Sequence, residues 1–221
     1  MSDTSLDNRG KRLVYVSSCL LNQNRRFPGI AVANGAISAL VDALNERGIG
    51  IEQLPCMESL EWGGVSRRLV FRFLPLLYNK GSTPVVNLFG RAWLARYKGA
   101  CRARAKAIAR EIDGWQRSGY AVLGIIAMDD SPTCGVTRTL DLLSAVPASK
   151  DRGVSLADWE APRFDKMRVV VPSLLVPGRG IFTSELVKWL ERRKMSIPIV
   201  GFNPWDVHGR EVNRIIQSLT G

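Results

Sequence analysis

Leu13-Val14-Tyr15-Val16-Ser17-Ser18-Cys19 is the stretch that decides the fold. Four successive apolar residues read as a β-strand buried on both faces, as strands of parallel sheets are. Two further runs share this design. Ile51-Glu52-Gln53-Leu54-Pro55 leads to Cys56. Val122-Leu123-Gly124-Ile125-Ile126-Ala127-Met128 leads, through Asp129-Asp130-Ser131-Pro132-Thr133, to Cys134. Ligands of an open parallel sheet bind just beyond the carboxyl ends of its strands. Three thiols brought to that edge would converge on one metal centre, and three sulfurs leave a position open for chemistry.

Outward from these runs, strand and helix alternate. The pattern predicts a three-layer α/β/α sandwich with a mostly parallel, Rossmann-like sheet. Strands are expected at 13–18, 49–54, 120–128 and 197–200, with a further apolar run at Met167–Val171. Helical spacing from Ala36 to Leu44 closes at Gly48. Thr183 or Ser184 is expected to cap a helix over Glu185–Lys194, and Asp206 to cap the last one. Between strands two and three, Met57 to Gln116 is long for one crossover. Its apolar first part, punctuated by Pro75, Gly81 and Pro84, reads as a lid-like insertion over about residues 63–90. Its second part, from Arg91, reads as the crossover helix.

With 46% hydrophobic and 23% charged residues among 221, the chain has the composition of a soluble globular domain. One α/β domain over residues 13–221 is expected, behind a flexible polar tail at 1–12. The longest apolar run, Tyr120 to Met128, is too short to span a membrane. The polar N-terminus lacks the apolar core of a secretory signal. A cytoplasmic protein without a membrane partner is therefore expected. Four cysteines with no CxxC pair do not suggest a disulfide framework. The net charge of +11 permits contact with RNA, through the basic helix at 91–110.

Thiolate sulfur suits iron–sulfur clusters and zinc alike. Cys101 sits inside the Ala/Arg-rich helix and reads as a small buried hydrophobe. Glu52 lies in a strand that otherwise reads as buried, where a carboxyl suits proton transfer or a salt bridge. Glu58, Glu61, Asp129 and Asp130 lie near the same edge. Asp130 is a candidate ligand-binding residue, although a turn or cap explains both aspartates. Proline and glycine bracket Cys134 on a tight turn, whose N–H groups could meet anionic charge. Asn22 and Asn24 follow Cys19 and are candidate donors to a polar heterocycle. His208, the sole histidine, reads as part of a helix start. Gly178-Arg179-Gly180 before a helix has the form of an anion cradle.

Taken together, these blocks resemble a known family. Val16-Ser17-Ser18-Cys19-Leu20-Leu21-Asn22-Gln23-Asn24 resembles the opening of the thiouracil desulfidase (TudS) family, in particular its short single-domain branch. Gln53-Leu54-Pro55-Cys56-Met57-Glu58 is similar to that family's second cysteine motif, with Met57 where the family often has proline. Gly124-Ile125-Ile126 followed by Asp130-Ser131-Pro132-Thr133-Cys134-Gly135 resembles the third, usually Ser-Pro-Ser-Cys-Gly. The blocks come in family order over roughly residues 13 to 200.

The resemblance implies a 4Fe–4S cluster on Cys19, Cys56 and Cys134, with the fourth iron free to bind a substrate's sulfur. It implies hydrolytic, non-redox removal of sulfur from a thio-nucleobase such as thiouracil. Glu52, four residues before the second cysteine, matches the family's catalytic glutamate and would activate water. The family's catalytic serine corresponds to Leu123 here, and Ser131 is the nearest hydroxyl. The insertion fits the family pattern poorly and would shape substrate access. Two other classes stay open: a basic module presenting thiolated tRNA, and a zinc–cysteine scaffold without catalysis.

Overall fold

A computed structural model describes residues 8–80 and 83–220. Residues 1–7 of the expected tail, and Gly81 in the expected insertion, lie outside the described residues. Four parallel strands form the central sheet: β1 (Arg12–Ser17), β2 (Gly50–Leu54), β3 (Ala121–Met128) and, numbered in chain order, β6 (Ile199–Phe202). Their order is β2-β1-β3-β6. The chain leaves β1 for one side of the sheet and continues on the other, so the switch point lies between β1 and β3.

Helices cover both faces. Tyr15 on β1 donates its hydroxyl to Glu111 of α5 (Pro84–Arg117), 2.9 Å away. Its neighbour Val14 pairs with Gly124 and so faces the other way. On that side a Cβ at Gly124 would overlap Leu219 of α10 (His208–Thr220). Glycine there lets the helix close on the sheet. Helix α2 (Ser38–Asn45) packs with α10, and α5 packs along α9 (Ile181–Arg192). Gly48 ends α2 as expected: its φ of 60° is left-handed, and its N–H and that of Ile49 cap carbonyls of the last turn.

The crossover helix is longer than its basic half suggested. Pro84 does not break the chain but starts α5, where its missing N–H costs nothing. At 34 residues α5 is about 51 Å long. Tyr97, Cys101, Ala105, Ile108 and Ile112 form its buried face. Residues 68–80 of the expected insertion are also helical, as α4 (Arg68–Lys80) with Pro75 inside it.

The apolar run Met167–Val171 is not a strand. It belongs to α8 (Phe164–Leu174), whose buried residues Met167, Val170, Val171 and Leu174 recur at helical spacing. A short apolar run cannot distinguish a buried strand from the buried face of a helix. Together with α4, α6 (Leu142–Ser149) and α7 (Leu156–Glu160), α8 encloses a second hydrophobic cluster around Leu74, Trp159 and Val171. A small antiparallel pair, β4 (Arg138–Leu140) with β5 (Leu175–Pro177), joins this helical layer to the sheet. The layer sits over the carboxyl edge of the sheet and closes it from above.

Candidate metal centre and active site

One cavity of about 100 Å³ opens at the switch point, and Cys19, Cys56 and Cys134 all line it. Each thiol has a local cause for its place. Cys19 lies in the single turn α1 (Ser18–Leu21) directly after β1. Cys56 caps α3 (Met57–Glu61) directly after β2. The Cys134 loop is fastened to the start of α9: Ile181 N–H donates to Pro132, Phe182 N–H to Thr133, and the Thr183 hydroxyl to Cys134. Gly180 permits this contact, since a Cβ there would overlap the Thr133 carbonyl. The Tyr97 and Thr133 hydroxyls, 2.6 Å apart, tie α5 to the same loop.

The amides that were candidates for anion binding are occupied. Thr133 and Cys134 N–H both donate to Ser131 Oγ at 3.0 Å. The amides after Gly178-Arg179 serve the Cys134 loop, so that segment is a splice and not an anion cradle. Asp129 likewise holds the following turn, accepting from Val136 and Thr137 N–H at 2.9 and 2.7 Å. Cys101 is fully buried in α5 and does not line the cavity. His208 packs against Phe202.

The predicted polar residues divide. Asp130 and Ser131 line the cavity. Asp130 is held by Arg26 in a two-pronged pair at 2.8 and 2.9 Å, with both side chains almost wholly buried. Removing one partner of such a pair costs about 3–5 kcal/mol. Asn22 and Asn24 do not reach the cavity. Both are exposed, and the Asn22 side chain accepts from the backbone and side chain of Asn24. Glu52 does not line the cavity either. It sits mid-strand opposite Tyr15, roughly 13 Å along the chain from Cys56. Burial and the charge of Glu111 raise its pKa.

Besides Asp130, which Arg26 holds, the carboxylate at the thiols is Glu58. It accepts from the Ser131 hydroxyl at 2.9 Å and meets Arg67 at 3.5 Å. Arg67 is fully buried, and its guanidinium also reaches Ser59, the Arg25 carbonyl and the Cys56 sulfur. Ser59 N–H and Oγ reach that sulfur too, at 3.4 and 3.3 Å. Glu58 had one sequence signal, its place two residues after the strand-end cysteine. Arg67 had none: it belongs to no periodic pattern, and its φ of 53° is set by the tight turn after α3.

The donor set fits a cluster. Three thiols line the cavity, and three donors on the Cys56 sulfur suit a metal-bound cysteine, a stronger acceptor than a thiol. Ser17 Oγ and Trp62 Nε1 line the cavity, buried and without hydrogen-bond partners. Cluster sulfides would supply the acceptors that these donors lack. Among the described residues, no group of three His, Cys, Asp or Glu side chains is arranged to hold a metal ion. A single zinc would need its sulfurs drawn to about 2.3 Å from one centre. A cluster spreads its ligands over separate irons.

Without metal, burial pushes the Cys19 thiol up to about 12, with Arg26 opposing. Burial also raises Cys134, and raises Cys101 to about 12. A raised thiol pKa means the folded state holds its protons more tightly than the unfolded chain does. The stability this contributes is present below pH 9 and is lost as pH rises towards 12. The metal-free melting temperature is therefore expected to fall steadily above pH 9, and less so in Cys101→Ala, as followed by circular dichroism. A flat profile to pH 11 would contradict it. Ligation by thiolates removes the same protons, so metal uptake should strengthen with pH.

No family model matches the chain, and no solved structure matches it. Among curated proteins it is similar to an uncharacterized protein of Methanocaldococcus jannaschii. The two are 24% identical over 184 residues, which cover 83% of this chain and 97% of that relative. The alignment brings no activity with it.

Proposed function

We propose that the protein is an iron–sulfur-dependent desulfidase, with Cys19, Cys56 and Cys134 holding a 4Fe–4S cluster. Its substrate would be a small thiolated compound, with thiouracil-like rings the first candidates. The observation that carries this reading is the meeting of three strand-end thiols with one carboxylate–hydroxyl pair, Glu58 and Ser131, in a single cavity. The resemblance of the three cysteine blocks to the thiouracil desulfidase family agrees with it.

When bound, the cluster supplies an iron without a protein ligand, a Lewis acid for the sulfur of the substrate. The chain's own residues supply the rest. Glu58 Oε1 is oriented by the Ser131 hydroxyl, and Oε2 rests against Arg67. A carboxylate fixed in this way serves as general base, holding water against the carbon that carries sulfur and taking its proton at Oε2. Glu58 takes the role that the family resemblance would give to Glu52, because Glu58 lines the cavity with the thiols and Glu52 does not, and Asp130 is bound in its pair with Arg26. Phe27, Trp62 and Trp159 give the cavity apolar walls that would hold a flat ring and exclude bulk water. The Arg26–Asp130 pair is the polar feature available to ring nitrogens or carbonyls.

Anaerobic reconstitution with iron and sulfide is expected to give a brown protein with about four irons per chain. Its absorption and EPR spectra should change on addition of thiouracil, with uracil and sulfide appearing. A colourless protein that takes up zinc alone would overturn the reading.

A further inference from the structure

The positive charge of this protein is not spread over its surface. Eleven of its 31 basic residues, and none of its 20 acidic ones, lie between positions 62 and 110. The remainder of the chain balances at 20 against 20, so this one segment carries the whole net charge of +11. It comprises α4 and the first three-quarters of α5. Within 4.0 Å, acidic groups among the described residues take up only Arg67, Arg96 and Lys98 of it. Arg68, Arg72, Arg91, Arg102, Arg104 and Arg110 are exposed without such a pair.

The same segment exposes apolar side chains that a water-facing surface does not call for. On α4, Leu69, Phe73 and Leu76 recur at helical spacing and are exposed, Phe73 by 52%. The other side of that helix gives Val70 and Leu74 to the cavity. On the first turns of α5, Val85, Leu88 and Phe89 are exposed by 64–69%. Val85 and Phe89 continue on one helical face into Ala92 and Arg96. Apolar side chains beside uncompensated arginines are the composition of interfacial helices.

We propose that the exposed face of α4 and the first turns of α5 dock on an anionic lipid surface. Arginines would meet the headgroups, and Phe73, Phe89 and their neighbours would enter the acyl boundary. A second copy of the chain is a poorer occupant, because it would bring the same uncompensated charge against itself. RNA would satisfy the arginines but leaves Leu69, Leu76, Val85 and Leu88 exposed, since a phosphate–sugar surface buries few aliphatic groups. No described helix is long and apolar enough to cross a membrane, so attachment would be peripheral. The short apolar runs and polar N-terminus behind the expectation of no membrane partner do not bear on a helix lying at a lipid surface. This inference is independent of the desulfidase reading.

The test is co-sedimentation of the full chain with vesicles of phosphatidylcholine, alone or mixed with phosphatidylglycerol. Binding is expected on the mixed vesicles at low salt, weakening as salt rises, with little on phosphatidylcholine alone. Phe73→Ser with Phe89→Ser should lower the partition coefficient at least about tenfold while the far-ultraviolet spectrum stays unchanged. Arg68→Gln with Arg72→Gln and Arg91→Gln should weaken binding and flatten its salt dependence. Absence of binding to mixed vesicles at low salt would overturn the proposal. So would single-stranded RNA binding that the phenylalanine variant leaves intact while vesicles are ignored. A dimer that the same variant dissociates, again without vesicle binding, would assign the face to a second copy.

Discussion

Glu58→Gln is expected to lower turnover by about 10²–10⁴-fold, the range contributed by a positioned general base, while the reconstituted protein keeps its iron. Glutamine preserves the shape of the side chain and its one oxygen still accepts from Ser131, while the buried Arg67 keeps the Ser59 hydroxyl and the Arg25 carbonyl as partners. What it loses is the capacity to take a proton from water. Glu52→Gln is the paired measurement. Glu52 faces Glu111 across the sheet surface, away from the thiols, so its variant should turn over at close to the parent rate. Because burial and Glu111 disfavour its charged form, the variant should also be no less stable than the parent. Anaerobic sulfide release by both variants, normalised to iron content, decides between the two carboxylates. Normal turnover in Glu58→Gln with loss in Glu52→Gln would remove Glu58 from the mechanism and return the role to Glu52.

Cys19→Ala, Cys56→Ala and Cys134→Ala are each expected to abolish the brown chromophore, with iron falling from about four per chain to less than one. Each removes one of the three proposed ligands, and no fourth thiol among the described residues lines the cavity to replace it. Cys101→Ala should reconstitute fully and lose only on the order of 1 kcal/mol of stability, the cost of a small void in α5. Iron by chemical assay and the visible spectrum separate these outcomes. If Cys101→Ala also lost metal, the site would be a four-cysteine centre and α5 would have to supply its ligand. If all four variants kept their metal, the thiols would not be its ligands.

The sheet and its cysteines were legible because their signals are local. A strand buried on both faces needs a run of apolar residues whatever surrounds it. The residue that follows such a run lies at the sheet edge by construction. Cys19 and Cys56 were placed by that rule alone, and Cys134 by the short loop that the rule allows. Local signals failed where one pattern has two solutions. Met167–Val171 is apolar enough for a strand and became the buried face of α8. Pro84 looked like punctuation and became the first residue of a 34-residue helix. Asn22 and Asn24 were sound candidates by chemistry, but the turn after α1 bonds them to each other.

The sequence by itself determined the parallel sheet, the arrival of three thiols at its edge, and the seclusion of Cys101. Each follows from hydrophobic periodicity and chain direction, which neighbours along the chain fix. Only the tertiary structure decided which carboxylate accompanies the thiols. Glu52 and Glu58 lie within a few residues of Cys56, but one is fixed in a strand by its pairing with Tyr15. The other is swung over the cavity by a five-residue helix that Cys56 itself caps. That turn is too short to carry a periodic signal. Arg67, which holds it from below, comes into place only when the chain folds back on itself.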